Sequence, residues 1–140
     1  MNDNQANSAA LLLRISLGIM FFAHALLKIF VFTLPGTVQF FASVGLPGAL
    51  AYVVVVMELG GGLLLITGTG VRLVSLALLP ILLGALYVHA GNGWMFSNAN
   101  GGWEYPAFLA ATTVVQAILG AGSYALKLPF ENASTTTQTH

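Results

Sequence analysis

The chain contains no cysteine. That single absence removes disulfides, thiolate metal sites, iron–sulfur clusters and cysteine nucleophiles. Charge is almost as scarce. Four basic and four acidic residues make up 6% of the 140 residues, where a soluble domain carries about a quarter. The net charge is zero and no basic patch occurs, which argues against nucleic acid as a partner. A glycine-rich phosphate loop, a dinucleotide fingerprint and a nucleophile triad are also missing. The N-terminus lacks the basic stretch of a cleavable signal peptide, and the first apolar segment is too long for one, so that segment is read as retained.

What remains is apolar. Hydrophobic residues are 57% of the chain, which leaves too little polar surface to cover a water-facing globule. Four runs, at about 9–32, 49–67, 71–90 and 104–126, hold 19 to 24 residues each, and about 20 span a bilayer. The expected fold is therefore all-α: an integral membrane four-helix bundle over residues 9–126, with disordered tails at 1–8 and 127–140. Pro35, Gly36, Gly45, Pro47 and Gly48 mark the first connection as a loop. Phe40 and Phe41 within it predict a short interfacial stretch. Gly68, Thr69 and Gly70 form the next turn, and residues 91–103 make a polar, glycine-rich loop. Pro80 lies inside the third run, where a membrane helix tolerates it. Asn132, Ala133 and Ser134 match a glycosylation sequon.

Basic residues near helix ends set orientation. With four spans, Arg14, Arg72 and Lys127 share one face, which predicts that both termini are cytoplasmic. The loops at 33–48 and 91–103 hold no Lys or Arg and fall on the other side. Tyr87, Trp94, Trp103 and Tyr105 approach that outer face, as an aromatic belt would.

Ionisable groups inside a membrane helix are expensive and face a partner or a site. Arg14, His24 and Lys28 fall within an arc of about 80° on the first helix, with Gly18 at its edge. At 1.5 Å per residue, Glu58 lies about 15 Å, His24 about 12 Å and Lys28 about 6 Å from the outer ends of their helices. His89 closes the outer end of the third helix. His24, Lys28, Glu58 and His89 thus form a candidate polar pocket in the outer half of the membrane. Gly60, Gly61 and Gly62 allow close packing beside it. Two readings stay open: a plain Lys28–Glu58 ion pair that sets helix register, or a pocket that binds a small molecule or relays protons. Arg14 and Arg72 read as orientation signals and Gln116 as an interhelical hydrogen-bonder. Glu104 suits the dipole at the start of the fourth helix, and Trp94 and Trp103 stand at the rim. Haem ligation by His24 and His89 is disfavoured by their different depths. No metal is expected at His24, Glu58 and His89.

The order of these residues resembles a known family. The first helix reads Leu13-Arg14-Ile15-Ser16-Leu17-Gly18-Ile19-Met20-Phe21-Phe22-Ala23-His24-Ala25-Leu26-Leu27-Lys28. The second carries Met57-Glu58-Leu59-Gly60-Gly61-Gly62, and Arg72 and His89 follow before the segment from Asn92 to Tyr105. This set is similar to the DoxX family of small four-helix membrane proteins over about residues 10–126. Ala25 departs from it, since the family often has glycine after the histidine. The resemblance implies an inner (plasma) membrane protein of bacterial type, associated with redox complexes, some relatives forming the quinone-reducing part of a thiosulfate:quinone oxidoreductase. Its polar positions fall on Arg14, His24, Lys28, Glu58, Arg72 and His89, without assigned catalytic roles. A redox-associated subunit with quinone as ligand and a membrane or peripheral redox protein as partner is the resulting expectation. Whether this chain is itself an enzyme stays open. The alternatives are a small-solute or proton carrier, working as a homo-oligomer, and a scaffold that docks a partner through the loop at 91–103.

Overall fold

The computed structural model describes residues 2–127, and every regular element among them is helical. Helix α1 (Asp3–Leu26) runs without a break into a π-helical turn (Leu27–Val31). Helices α2 (Leu34–Ser43), α3 (Leu50–Thr67) and α4 (Val71–His89) follow, then a 3₁₀ turn (Ala90–Asn92) and α5 (Glu104–Leu119). Three helical segments, Asp3–Val31, Leu50–Thr67 and Val71–Asn92, are long and apolar enough to cross a membrane, and α5 is apolar but shorter at 16 residues. The chain is a membrane protein.

Each long helix buries one narrow stripe. On α3 the buried positions are Ala51, Val55, Glu58, Gly62 and Leu65; on α4 they are Val71, Ser75, Leu78 and Leu82. Steps of four and three average 3.5 residues, the period that keeps a seam facing its neighbours along a left-handed supercoil. Away from the seam the side chains are apolar and exposed, as at Phe30 (76%) and Leu73 (75%). In water such a surface would aggregate; in lipid it is the matched one.

Helices α1 and α3 pack antiparallel with their backbones nearly touching. A Cβ added at Gly62 would lie 2.8 Å from the carbonyl oxygen of Gly18 and 2.8 Å from the amide nitrogen of Phe22. Small residues permit this approach where lipid provides no hydrophobic drive between helices. Gly61 receives Leu78, whose Cδ2 would stand 2.9 Å from an added Cβ, and so joins α3 to α4. Leu17, Phe21, Leu65, Val71, Leu78, Leu82, Leu109 and Ala110 form the apolar core between them.

Three boundaries differ from expectation. The segment at 1–8 is not a disordered tail: α1 begins at Asp3. Asn2 accepts from the Gln5 amide at 2.9 Å while Gln5 Oε1 accepts from the Asn2 amide at 3.1 Å. This reciprocal capping box, with Asp3 against the helix dipole, starts the helix a turn and a half before the apolar run. The loop at 33–48 contains α2, started by Thr33, whose hydroxyl accepts from the Gly36 amide at 3.2 Å. The last helix stops at Leu119 instead of 126, because Gly120 turns the chain at φ +80°. Residues 120–127 then cross the ends of α1 and α3 as an irregular strap. Ser123 donates to the Asn7 carbonyl at 3.2 Å and Leu126 to the Thr67 carbonyl at 3.0 Å. The rest of the expected tail at 127–140, with the sequon, lies outside the described residues.

Gly62→Leu forces apart two backbones that have no side chain to yield, so it should cost about 1–3 kcal/mol and lower the melting temperature in detergent. Gly60→Ala, where an added Cβ meets nothing within 4 Å, should leave it unchanged. Equal melting of wild type and Gly62→Leu would remove the close-contact account.

Candidate functional site

The charged centre of the molecule is one ion pair. Lys28 Nζ donates to both Glu58 carboxylate oxygens, at 2.8 and 3.1 Å. The two side chains are 18% and 5% exposed. Side chains on a helix lean toward its N-terminus. The two helices are antiparallel, so Lys28 leans inward along α1 while Glu58 leans outward along α3, and the two heads converge. This closes the difference of about 9 Å in depth, set by six residues at 1.5 Å each.

Local structure holds Lys28 in place. It lies in the π-turn, whose wider ladder is often found at functional positions. The Thr37 hydroxyl reaches back from α2, placed 3.2 Å from the Lys28 carbonyl and 2.8 Å from the Thr33 carbonyl. Thr33 is a non-glycine residue at φ +64°, a conformation that needs support from its surroundings. Its hydroxyl bond to Gly36 and its carbonyl bond to the Thr37 amide (2.9 Å) supply that support. Sequence reading missed Thr33 and Thr37, because a single threonine in a loop carries no periodic signal.

His24 lies one turn before Lys28. It makes no hydrogen bond to the pair; its ring stacks on Tyr105 of α5, with centroids 6.3 Å apart and planes at 27°. Tyr105 also lines an open apolar groove of about 460 Å³ with Trp94, Phe96, Trp103, Glu104 and Phe108. Trp94 and Trp103 meet edge to face at 4.5 Å. The groove wall is held by its backbone: Glu104 Oε1 accepts from the Phe96 amide at 2.9 Å, and Asn92 Nδ2 donates to the Gly101 carbonyl at 2.9 Å. Gly102 is buried where a Cβ would overlap the Met95 carbonyl, so glycine is required there. His89 is not brought to the pair. Its Nδ1 bonds the Ala85 carbonyl of its own helix at 2.7 Å, and its ring lies against Gly101. Among the described residues no three of His, Cys, Asp and Glu gather as a metal site.

The remaining polar residues sit at the opposite end. Arg14 is 1% exposed, and its Nη2 donates to the Ser123 carbonyl at 3.0 Å and the Tyr124 carbonyl at 3.4 Å. Gln116 Nε2 donates to the Gly120 carbonyl at 2.8 Å and the Ala10 carbonyl at 3.3 Å. Arg72 is exposed, with Nη1 3.4 Å from the Ala117 carbonyl. Ser75 and Thr113 are buried beside this layer and were not singled out from sequence, since lone hydroxyls in membrane helices usually bond their own backbone.

The geometry defines a helical membrane protein with an interhelical ion pair and an aromatic groove, connected through the His24–Tyr105 stack. Comparison with known proteins places it more narrowly. The DoxX family model matches residues 9–91, and the chain belongs to the DoxX family. It is 37% identical over 116 residues to a Bacillus subtilis (strain 168) protein named "Putative oxidoreductase CatD", covering 83% of this chain and 82% of that one. No solved structure matches.

Removing one partner of a buried pair strands the other charge and costs about 3–5 kcal/mol. Lys28→Met should therefore destabilise strongly in a detergent melt. Adding Glu58→Leu should recover most of the loss, because the double variant leaves no charge behind. If Lys28→Met melts with wild type, the pair contributes nothing to the fold.

Proposed function

We propose that the protein is a redox-associated subunit of the inner membrane that binds a quinone head between helices, with α1, α3, α4 and α5 as its four spans. The observation that carries this reading is the adjacency of an ion pair to an aromatic groove. Tyr105 links the two through His24: it lines the groove and stacks on His24, which stands one turn from Lys28. A small-ligand site needs apolar walls, a few converging polar groups and a volume of about 300–1,000 Å³; the groove of about 460 Å³ falls in that range. The name of the Bacillus relative points toward oxidoreductase chemistry.

In this reading Trp94, Trp103, Tyr105 and Phe108 take the flat ring, and His24 donates to a ring carbonyl. Lys28 and Glu58 form the proton-exchanging pair behind them. Reduction of a bound quinone to the quinol consumes two electrons and two protons. A chain without cysteine holds no thiolate-ligated iron–sulfur centre, so the electrons come from a partner redox protein. The exposed Trp94, Met95 and Phe96 on the loop give that partner a surface. A second reading, a scaffold that docks a partner without binding quinone, rests on the same three residues. Arg14, Arg72 and Lys127 lie toward the end opposite the loop, an asymmetry that supports termini on the cytoplasmic side.

Protein purified gently from its own membrane should carry quinone in native mass spectrometry. Glu58→Gln and His24→Ala variants that still fold should retain about tenfold less, the ratio worth about 1.4 kcal/mol. Wild type carrying only phospholipid, or variants retaining as much quinone, would overturn the quinone site and leave the scaffold. For orientation, a phosphatase active only outside the cytoplasm should be inactive when fused at the C-terminus and active when inserted at residues 97–99. The reverse pattern would invert the topology.

A further inference from the structure

Arg14 is the charge that the proposed redox site does not use, and it is the most deeply buried one in the described chain. Among the described residues it has no carboxylate partner. Asp3 lies exposed at the start of α1, Glu58 is taken by Lys28, and Glu104 belongs to the loop at the far end. Two of the guanidinium nitrogens, Nε and Nη1, are buried without a protein acceptor. Among the described residues this cation has no counter-charge, and a buried ionisable group on a membrane helix points to a site.

Other groups join it at one level. Gln116 touches the Ala10 carbonyl, so one turn further along the antiparallel helices Thr113 of α5 stands level with Arg14 of α1. Arg72 reaches Ala117, so by the same step Ser75 of α4 stands level with Thr113. The Thr113 and Ser75 hydroxyls are buried at 1% and 0% exposure and have no protein partner. A guanidinium and two hydroxyls without protein partners are thus buried toward the same end of the bundle, donors of the kind an oxygen-rich anion takes.

The strap closes this layer with stand-in oxygens. The carbonyls of Ser123 and Tyr124 are the acceptors Arg14 now has. The strap is held by few bonds and is strained: Tyr124 is a non-glycine residue at φ +53° and is 91% exposed. Arg72 flanks its other side, close to Gly120.

We propose that this end of the bundle is an oxoanion site, in which a phosphate group displaces the strap carbonyls and pairs with Arg14, with Ser75 and Thr113 donating beneath it. The phosphate comes from an anionic phospholipid headgroup or from solution; both present the same oxygens to the guanidinium.

The test is hydrogen exchange at the amides of residues 122–126 in phosphatidylcholine nanodiscs. It compares added phosphatidylglycerol, added inorganic phosphate, and potassium chloride at matched ionic strength. Displacement of the strap should raise exchange there about tenfold, as local opening does. A rise with both phosphate sources, or with inorganic phosphate alone, supports a site open to solution. A rise with phosphatidylglycerol alone supports it with the lipid as the source. No rise with either, or an equal rise with potassium chloride, overturns it. Arg14→Gln keeps a hydrogen-bonding head but loses the charge, so where it folds its strap should not respond; a full response would overturn the proposal. If that variant does not fold, the wild-type comparison decides alone.

Discussion

Close contact between the backbones of α1 and α3 sets the register on which the other polar contacts depend. Gly18 and Gly62 allow the approach, and a side chain at either would strike the main chain of the opposite helix. With those two positions opposed, Glu58 falls deeper along its helix than Lys28 does along its own. The lean of side chains toward each helix N-terminus then brings the ammonium and carboxylate to 2.8 Å. A slip by one turn would leave two buried charges apart, at a penalty of several kcal/mol for each ion. The glycines and the ion pair therefore specify the same alignment, one by sterics and one by electrostatics.

That alignment divides the interior into two polar layers. The layer near the loop is charge-balanced and adjoins an aromatic groove. Toward the termini lie the buried Arg14, two hydroxyls and the Gln116 amide beneath an irregular strap, with Arg72 at its exposed edge. Between them lie Leu17, Phe21, Leu65, Leu78 and Leu109, which keep the layers electrically separate. Along α1 the interval from Arg14 to His24 is about 15 Å at 1.5 Å per residue. A single continuous polar path would suit a carrier. The two separated layers are those that the proposed quinone and oxoanion sites would occupy.

The parts legible in the sequence were those with a long-range or compositional signature. Four apolar runs and 6% charge required a membrane. Lys28 and Glu58 stood out as a pair because lipid penalises unpaired charge. Arg14 reads in the sequence as an orientation signal, and its burial was not legible because it depends on a strap that folds back from more than 100 positions away. His89 was grouped with the pair by its expected depth, and in the structure its Nδ1 bonds its own helix instead. Depth is readable by counting residues; azimuth around the bundle is set by neighbouring helices.

By itself, then, the sequence determined the membrane character and the helical class, and set an expected depth for each ionisable residue. Hydropathy and the rise of a helix are properties of the chain alone. Tertiary structure decided which polar groups meet. His24 turns to Tyr105 instead of the ion pair, Thr37 returns to the Lys28 carbonyl, and Arg14 is sealed by residues 123 and 124. Each contact depends on how one helix is rotated and shifted against another. That is fixed by packing between backbones and leaves no local pattern to read.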